Sequence, residues 1–190
     1  MGMIKVLGEN IERFAGSAVR AKVMQGSERI TAKSGPAEIA AWVKDAMKRL
    51  DKLVDKKERI QIRENCGYVC AQENRSMIER ARARRKMSQD IGRFFESEQR
   101  KTLSGTRLVR EGNMLYWYFT PHSFSRPMRC YCSLLKGLPE AETVSTTYCL
   151  CSQGFVKKYW ESVLGKAVRV ELLESCLTGA QECKFAIHLS

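Results

Sequence analysis

Ile39, Trp42/Val43, Met47, Leu50 and Leu53/Val54 recur at steps of three and four residues, the spacing of one face of an α-helix. Ser34 and Pro36 stand where a helix start places such residues. The spacing therefore predicts an amphipathic helix of several turns from about residue 34. A second helical stretch is expected from Gln61 to Lys86, with Cys66 and Cys70 one turn apart on one face. A third runs from Ser88 to Lys101, where Ile91, Phe94 and Phe95 supply the apolar side. The first thirty residues also follow a helical pattern, interrupted by Gly8, Gly16 and Gly26.

The period changes at Leu103. "TRLVREGNMLYWYFT" holds two β-prone runs around Glu111-Gly112-Asn113 and reads as a hairpin. The next thirty or so residues contain three of the four prolines and no long periodic run, so loop is expected. "SQGFVKKYWESVLG" returns to helix, with Ser152 as the expected N-cap and Gly165 as the stop. Two strands close the chain, about Ala167 to Cys176 and Glu182 to Leu189, joined at "LTGAQ". This divides the chain into a helical region, 1–102, packed on a mixed region, 103–190, as one compact unit.

Alternation assigns faces in the last hairpin. Val168, Val170, Leu172, Glu174 and Cys176 fall on one side, and Cys183, Phe185, Ile187 and Leu189 fall on the matching side of the partner strand. Glu174 is then a carboxylate at the end of an apolar row, and an unpaired buried carboxylate costs several kcal/mol. Cys176, Cys183 and Glu174 suit Zn²⁺, which takes thiolate and carboxylate ligands in a closed tetrahedral shell. Cys151, just before the preceding helix, is the nearest fourth ligand, and Cys149 competes with it. The alternatives at this point are core thiols, an arginine partner or a place near the wet sheet edge for Glu174, and a disulfide across the hairpin.

At these residues the chain resembles the 4-vinyl reductase domain family, a small-molecule-binding module also found in phenol-responsive transcription activators. The resemblance covers Cys149 to Leu189: "GF" opening a helix (Gly154, Phe155), "VLGKAVRVE", Glu174-Ser175-Cys176, and Gly179, Cys183 and Phe185 of "G…CKF". It implies an α+β fold in which N-terminal helices precede an antiparallel sheet flanked by helices, as in the trafficking-complex subunits that hold an acyl chain. It also implies a structural zinc on Cys151, Glu174, Cys176 and Cys183, and an apolar or aromatic ligand between sheet and helices. A similar ending occurs in a bacterial family of thiazoline-carboxylate hydrolases. The alternative function is thus a cysteine-dependent hydrolase or thiol enzyme acting on a small heterocycle or amide.

Composition narrows the remaining choices. No apolar run approaches the ~20 residues of a membrane span, so membrane insertion is not expected. The first ten residues lack a secretory pattern. A cytoplasmic setting follows, in which eight cysteines are thiols or metal ligands rather than structural disulfides. The formal charge is +12, with 23 basic and 14 acidic residues in 1–104. Arg75 to Lys86 alone holds six basic residues and one glutamate, yet no interleaved aromatics for stacking, so nucleic acid is not the expected partner. Related folds pair through helices, which makes a homodimer the assembly to look for.

Other candidate chemistry is thiol chemistry. Cys130 and Cys132, with Cys149, can form a second thiol cluster or metal site. Cys66 and Cys70 read as a thiol pair or pocket wall. His122 could serve as base to a cysteine nucleophile, whereas His188 points away from the core face. No Walker, dinucleotide-binding, HExxH or GxSxG motif is present.

Overall fold

The structure, a computed structural model, describes residues 2–101, 105–121 and 129–189. The periodic first half folds into α1 (Gly2–Ala15), α2 (Ser17–Val23), α3 (Pro36–Leu53), α4 (Lys56–Glu73), α5 (Arg75–Met87) and α6 (Ile91–Arg100). Gly16 separates the first two with φ 86°, a conformation that glycine adopts without a Cβ penalty. Asp55 and Asp90 cap α4 and α6 by accepting from the backbone N–H of Glu58 and Arg93.

The stretch read as one helix from Gln61 to Lys86 is two. It breaks at Asn74, whose side-chain amide and backbone N–H both donate to the Cys70 carbonyl. No glycine or proline marks this corner, so the apolar period runs through it.

β1 (Thr106–Glu111) and β2 (Met114–Phe119) form the expected hairpin, with Gly112 at φ 57° in the turn. After a loop with short 3-10 turns come α7 (Leu150–Leu164), β3 (Arg169–Glu174) and β4 (Cys183–His188). The helix begins at Leu150 rather than at an N-cap Ser152, and Gly165 ends it in the left-handed region. The four strands form one antiparallel sheet in the order β1-β2-β4-β3. The fold is α+β, helices first and an antiparallel sheet flanked by helices after them.

The alternation expected along β3 fails at its end. A register shift between Leu172 and Glu174 sets Leu172 opposite Phe185 and Glu174 opposite Lys184. The inserted residue turns Glu174 outward, where it is exposed beside a lysine. Cys176 is buried, in a 3-10 turn after the strand.

One face of the sheet is covered by α7. Trp117 of β2 lies 4.7 Å from the Tyr159 ring and 5.8 Å from Trp160, and Phe119 lies 4.9 Å from Phe185. A second apolar cluster gathers α1, α3 and α4 with Leu135, Leu138, Val144 and Tyr148. Both clusters draw on residues from each side of position 102. What joins them is the contact of α4 with α7, where two glycines let the helices touch through their backbones. A Cβ on Gly67 would stand 2.1 Å from the Cys151 carbonyl oxygen, and one on Gly154 would stand 2.3 Å from that of Glu64. Around this crossing, Gln153 donates to Glu64 (2.8 Å) and receives the Leu172 N–H (2.9 Å), tying α4, α7 and β3 together.

Candidate functional site

Between the helix crossing and the sheet lies a partly open cavity of about 370 Å³. Met3, Ile4 and Leu7 of α1, Trp42 and Val43 of α3, and Met77 of α5 contribute apolar wall. Trp117 and Phe119 of β2, Phe155 of α7 and Tyr131 of the loop contribute aromatic wall. Five thiols also line it: Cys70, Cys130, Cys132, Cys151 and Cys183. Its size falls within the range of small-molecule pockets, as does its apolar lining with few polar groups.

The polar group that stands out is Arg63 of α4. It is 4% exposed and lines the cavity beside Cys66, Cys151 and Tyr148. Its Nη2 donates to the Tyr148 carbonyl (2.8 Å), and its guanidinium lies over the Tyr148 ring at 4.8 Å. Its Nε has no hydrogen-bond partner among the described residues, and no carboxylate pairs with it there. Glu64, its neighbour in sequence, is instead bound to Gln153 and Lys157. Arg63 was legible only as part of a stripe: with Gly67 and Cys70 it falls at i, i+4 and i+7 of a helix face that the cysteines already marked as buried.

The eight cysteines are free thiols, and each has another among its electrostatic neighbours. Burial holds three of them protonated. It pushes Cys66 up to about 11 and Cys149 to about 12, and it drives Cys130 higher still. Cys70 and Cys151 share a hydrogen bond that raises Cys151, with burial adding to it, and lowers Cys70. Cys70 also lies 3.7 Å from the Met3 sulfur.

Of the residues expected to hold zinc, the structure brings two together. The Cys176 backbone N–H donates to the Cys183 sulfur at 3.4 Å across the final turn. Glu174 is outside, turned there by the β3 bulge, and Cys151 stands with Cys70 and Cys66. Among the described residues no group of three or more His, Cys, Asp or Glu side chains converges as a metal site. Cys149 is nearer the hairpin than its rank as competitor suggested: its sulfur lies 2.9 Å from the Ser175 hydroxyl.

The second thiol set is partly assembled. The Cys132 N–H donates to the Cys130 sulfur (3.4 Å), and the Tyr148 hydroxyl donates to the Cys132 sulfur (2.8 Å), while Cys149 turns to Ser175. Cys66 accepts from the Asn10 amide (3.7 Å), and Cys70 faces the cavity, so the pair divides between core and wall. His122 lies outside the described residues. His188 sits on the far side of β4 against Arg169 and Glu171.

The basic run forms α5, and part of its charge is used within the fold. Arg84 holds Glu98 through two 2.9 Å bonds, and Lys101 reaches the same carboxylate. Arg75, Arg80, Arg82 and Lys86 are exposed. No helix among the described residues is long and apolar enough to cross a membrane.

Residues 3–190 match a single family profile. The chain belongs to the family of unknown function DUF6144. No curated protein is similar to it in sequence. A triple mutant of an H-NOX protein from S. oneidensis, in the Fe(II) ligation state, is similar in structure. It matches 100% of this chain and 95% of its own at 14% identity, with a TM-score of 0.50. A mutant H-NOX domain from Shewanella oneidensis in the Fe(II)CO ligation state matches 99% of this chain and 97% of its own, at 14% identity and a TM-score of 0.49. The DUF6144 chain therefore shares the H-NOX type of fold. Among the described residues the cavity wall offers thiols, thioethers and phenols, without imidazole or carboxylate, and no three metal-ligating side chains converge.

Proposed function

We propose that this DUF6144 protein binds a small apolar or aromatic molecule in the cavity between α1, α3, α4, α7 and the sheet, in a sensing or carrying role. The observation that carries the reading is the cavity itself, about 370 Å³ walled by Trp117, Phe119, Phe155, Leu7 and Val43. Burial keeps Cys130 neutral, and the hydrogen bond with Cys70 together with burial does the same for Cys151, so these two act as soft, polarisable wall rather than as charges. The resemblance of Cys149–Leu189 to the 4-vinyl reductase domains points the same way. Titration with the neutral fluorophore N-phenyl-1-naphthylamine tests it. Saturable binding at one site per chain is expected, and Ser152→Phe, which puts a ring into the cavity wall, should abolish it. Fluorescence that rises without saturation, or that is unchanged in the variant, counts against the reading.

A second reading is thiol chemistry on the bound molecule, and Cys183 is what favours it. This residue lines the cavity, and its thiolate is stabilised chiefly by a hydrogen bond from the Cys176 thiol. Turnover of an activated ester that disappears in Cys183→Ala, with the fold preserved, would bring it forward; a rate equal to that of the variant would remove it.

A further inference from the structure

Arg63 poses an electrostatic problem that the protein's own described residues do not solve. A guanidinium is charged at every pH the fold experiences. Taking it out of water costs several kcal/mol unless a counter-charge and hydrogen-bond acceptors replace the solvent. Here it has the Tyr148 carbonyl and the weakly accepting Cys66 sulfur as hydrogen-bond partners, and the face of the Tyr148 ring. None of these brings a full counter-charge. The sulfur groups around it, Cys66 and Cys151, are held protonated and bring no negative charge. The Nε donor is left over.

The surroundings rule out a purely packing role. The methylene stem of an arginine can cover apolar surface, but it then sends its head to water; this head stays inside, in the wall of a cavity. Gly67, one turn along α4, and Gly154 bring α7 to backbone contact at this level. The helix crossing thus presses Arg63 and Cys151 against the same space.

We propose that Arg63 receives the carboxylate of a monoanionic small molecule whose apolar body occupies the rest of the cavity. This rests on the reading of the cavity as a ligand site and specifies the ligand class. Two carboxylate oxygens match the planar fork of a guanidinium and supply the missing counter-charge. The apolar body would lie along Trp117, Phe119 and Phe155. A cationic ligand is disfavoured by the same charge, and a neutral one leaves it uncompensated.

The test is isothermal titration of the full chain with a set of carboxylic acids (3-phenylpropionic, 2-naphthoic, octanoic), each paired with its primary amide. For the acids that bind, affinity should exceed that of the matched amide by on the order of tenfold or more. Arg63→Met, which keeps the length and removes the charge, should bring acid and amide to within about twofold. Arg63→Lys should keep a reduced preference, since it preserves the charge without the fork. Amides that bind as well as their acids would overturn the assignment while leaving the cavity reading intact. An unchanged acid preference in Arg63→Met would overturn it as well. If neither member of any pair binds and N-phenyl-1-naphthylamine also fails, the cavity reading falls and this assignment falls with it. The comparison of acid with amide in the unaltered protein decides the matter even if a variant does not fold.

Discussion

Gly67 of α4 lies against Gly154 of α7 so closely that a Cβ on the first would meet the Cys151 carbonyl oxygen at 2.1 Å and the Phe155 nitrogen at 2.6 Å. These are backbone atoms, which cannot rotate away as a side chain can. The approach fixes how far α4 stands from α7, and hence where Arg63 and Cys70 on one helix face Cys151 and Phe155 on the other. Packing, cavity shape and the position of the buried charge all depend on two missing methyl groups.

Gly67→Ala is therefore expected to lower stability by about 3 kcal/mol or more, at the upper end of overpacking substitutions, because the obstructing atoms belong to the main chain. Gly35→Ala is the control, since nothing lies within 4 Å of a Cβ there. Urea unfolding monitored by circular dichroism reads both. Equal midpoints for Gly67→Ala and the unaltered protein would show that the helices are not in backbone contact.

Cys183 should be the thiol most readily ionised. The Cys176 thiol donates to it, burial works in the opposite direction, and the Cys176 N–H and Ser175 hydroxyl add to the donation, for a value of about 7. Iodoacetamide labelling followed by peptide mass spectrometry should show Cys183 half-maximally reactive near that pH. Cys176→Ala, which removes the main donor, should move the profile up toward the ordinary thiol value of 9.0. Cys66, pushed up to about 11, and Cys149, pushed up to about 12, should remain unlabelled throughout. A Cys183 profile that does not respond to Cys176→Ala would break this assignment.

The same burial makes an alkaline limit. Cys66 and Cys149 have folded-state values above the unfolded value of 9.0, so the folded chain keeps protons that the unfolded chain releases. Their contribution is present in full below pH 9 and is lost as pH rises from there toward 11 and 12. Each thiol can remove up to ~1.4 kcal/mol per pH unit in that window. Urea midpoints at pH 8, 9 and 10 should fall over the last step. The fall should be shallower in a Cys66→Ala/Cys149→Ala double variant; an identical slope would assign the loss to other groups.

Much of the architecture was legible because it rests on local period. Ile39 to Leu50 could bury only one helical face, and the alternating run of β2 could bury only one strand face. The corner at Asn74 was not legible, because a side-chain amide and not a glycine or proline makes it. The β3 bulge was hidden for a related reason: alternation assumes an unbroken register, and one inserted residue sends Glu174 to solvent while Leu172 still faces Phe185. The four-ligand zinc shell depended on that register, and only Cys176 and Cys183 meet within it. The cavity was foreseen as a space between sheet and helices, but its walls come from segments as distant as Met3 and Cys183. No short-range pattern records such a meeting.

The central claim, a small apolar molecule seated in this cavity, is tested most directly by where a ligand perturbs the protein. The chain has eight methionines, of which Met3 and Met77 line the cavity and Met87 is 85% exposed. With ¹³C-labelled methionine methyls, titration with N-phenyl-1-naphthylamine should shift the Met3 and Met77 resonances in a saturable way and leave Met87 in place. Saturable binding that moves Met87 and leaves Met3 and Met77 unchanged would contradict the account.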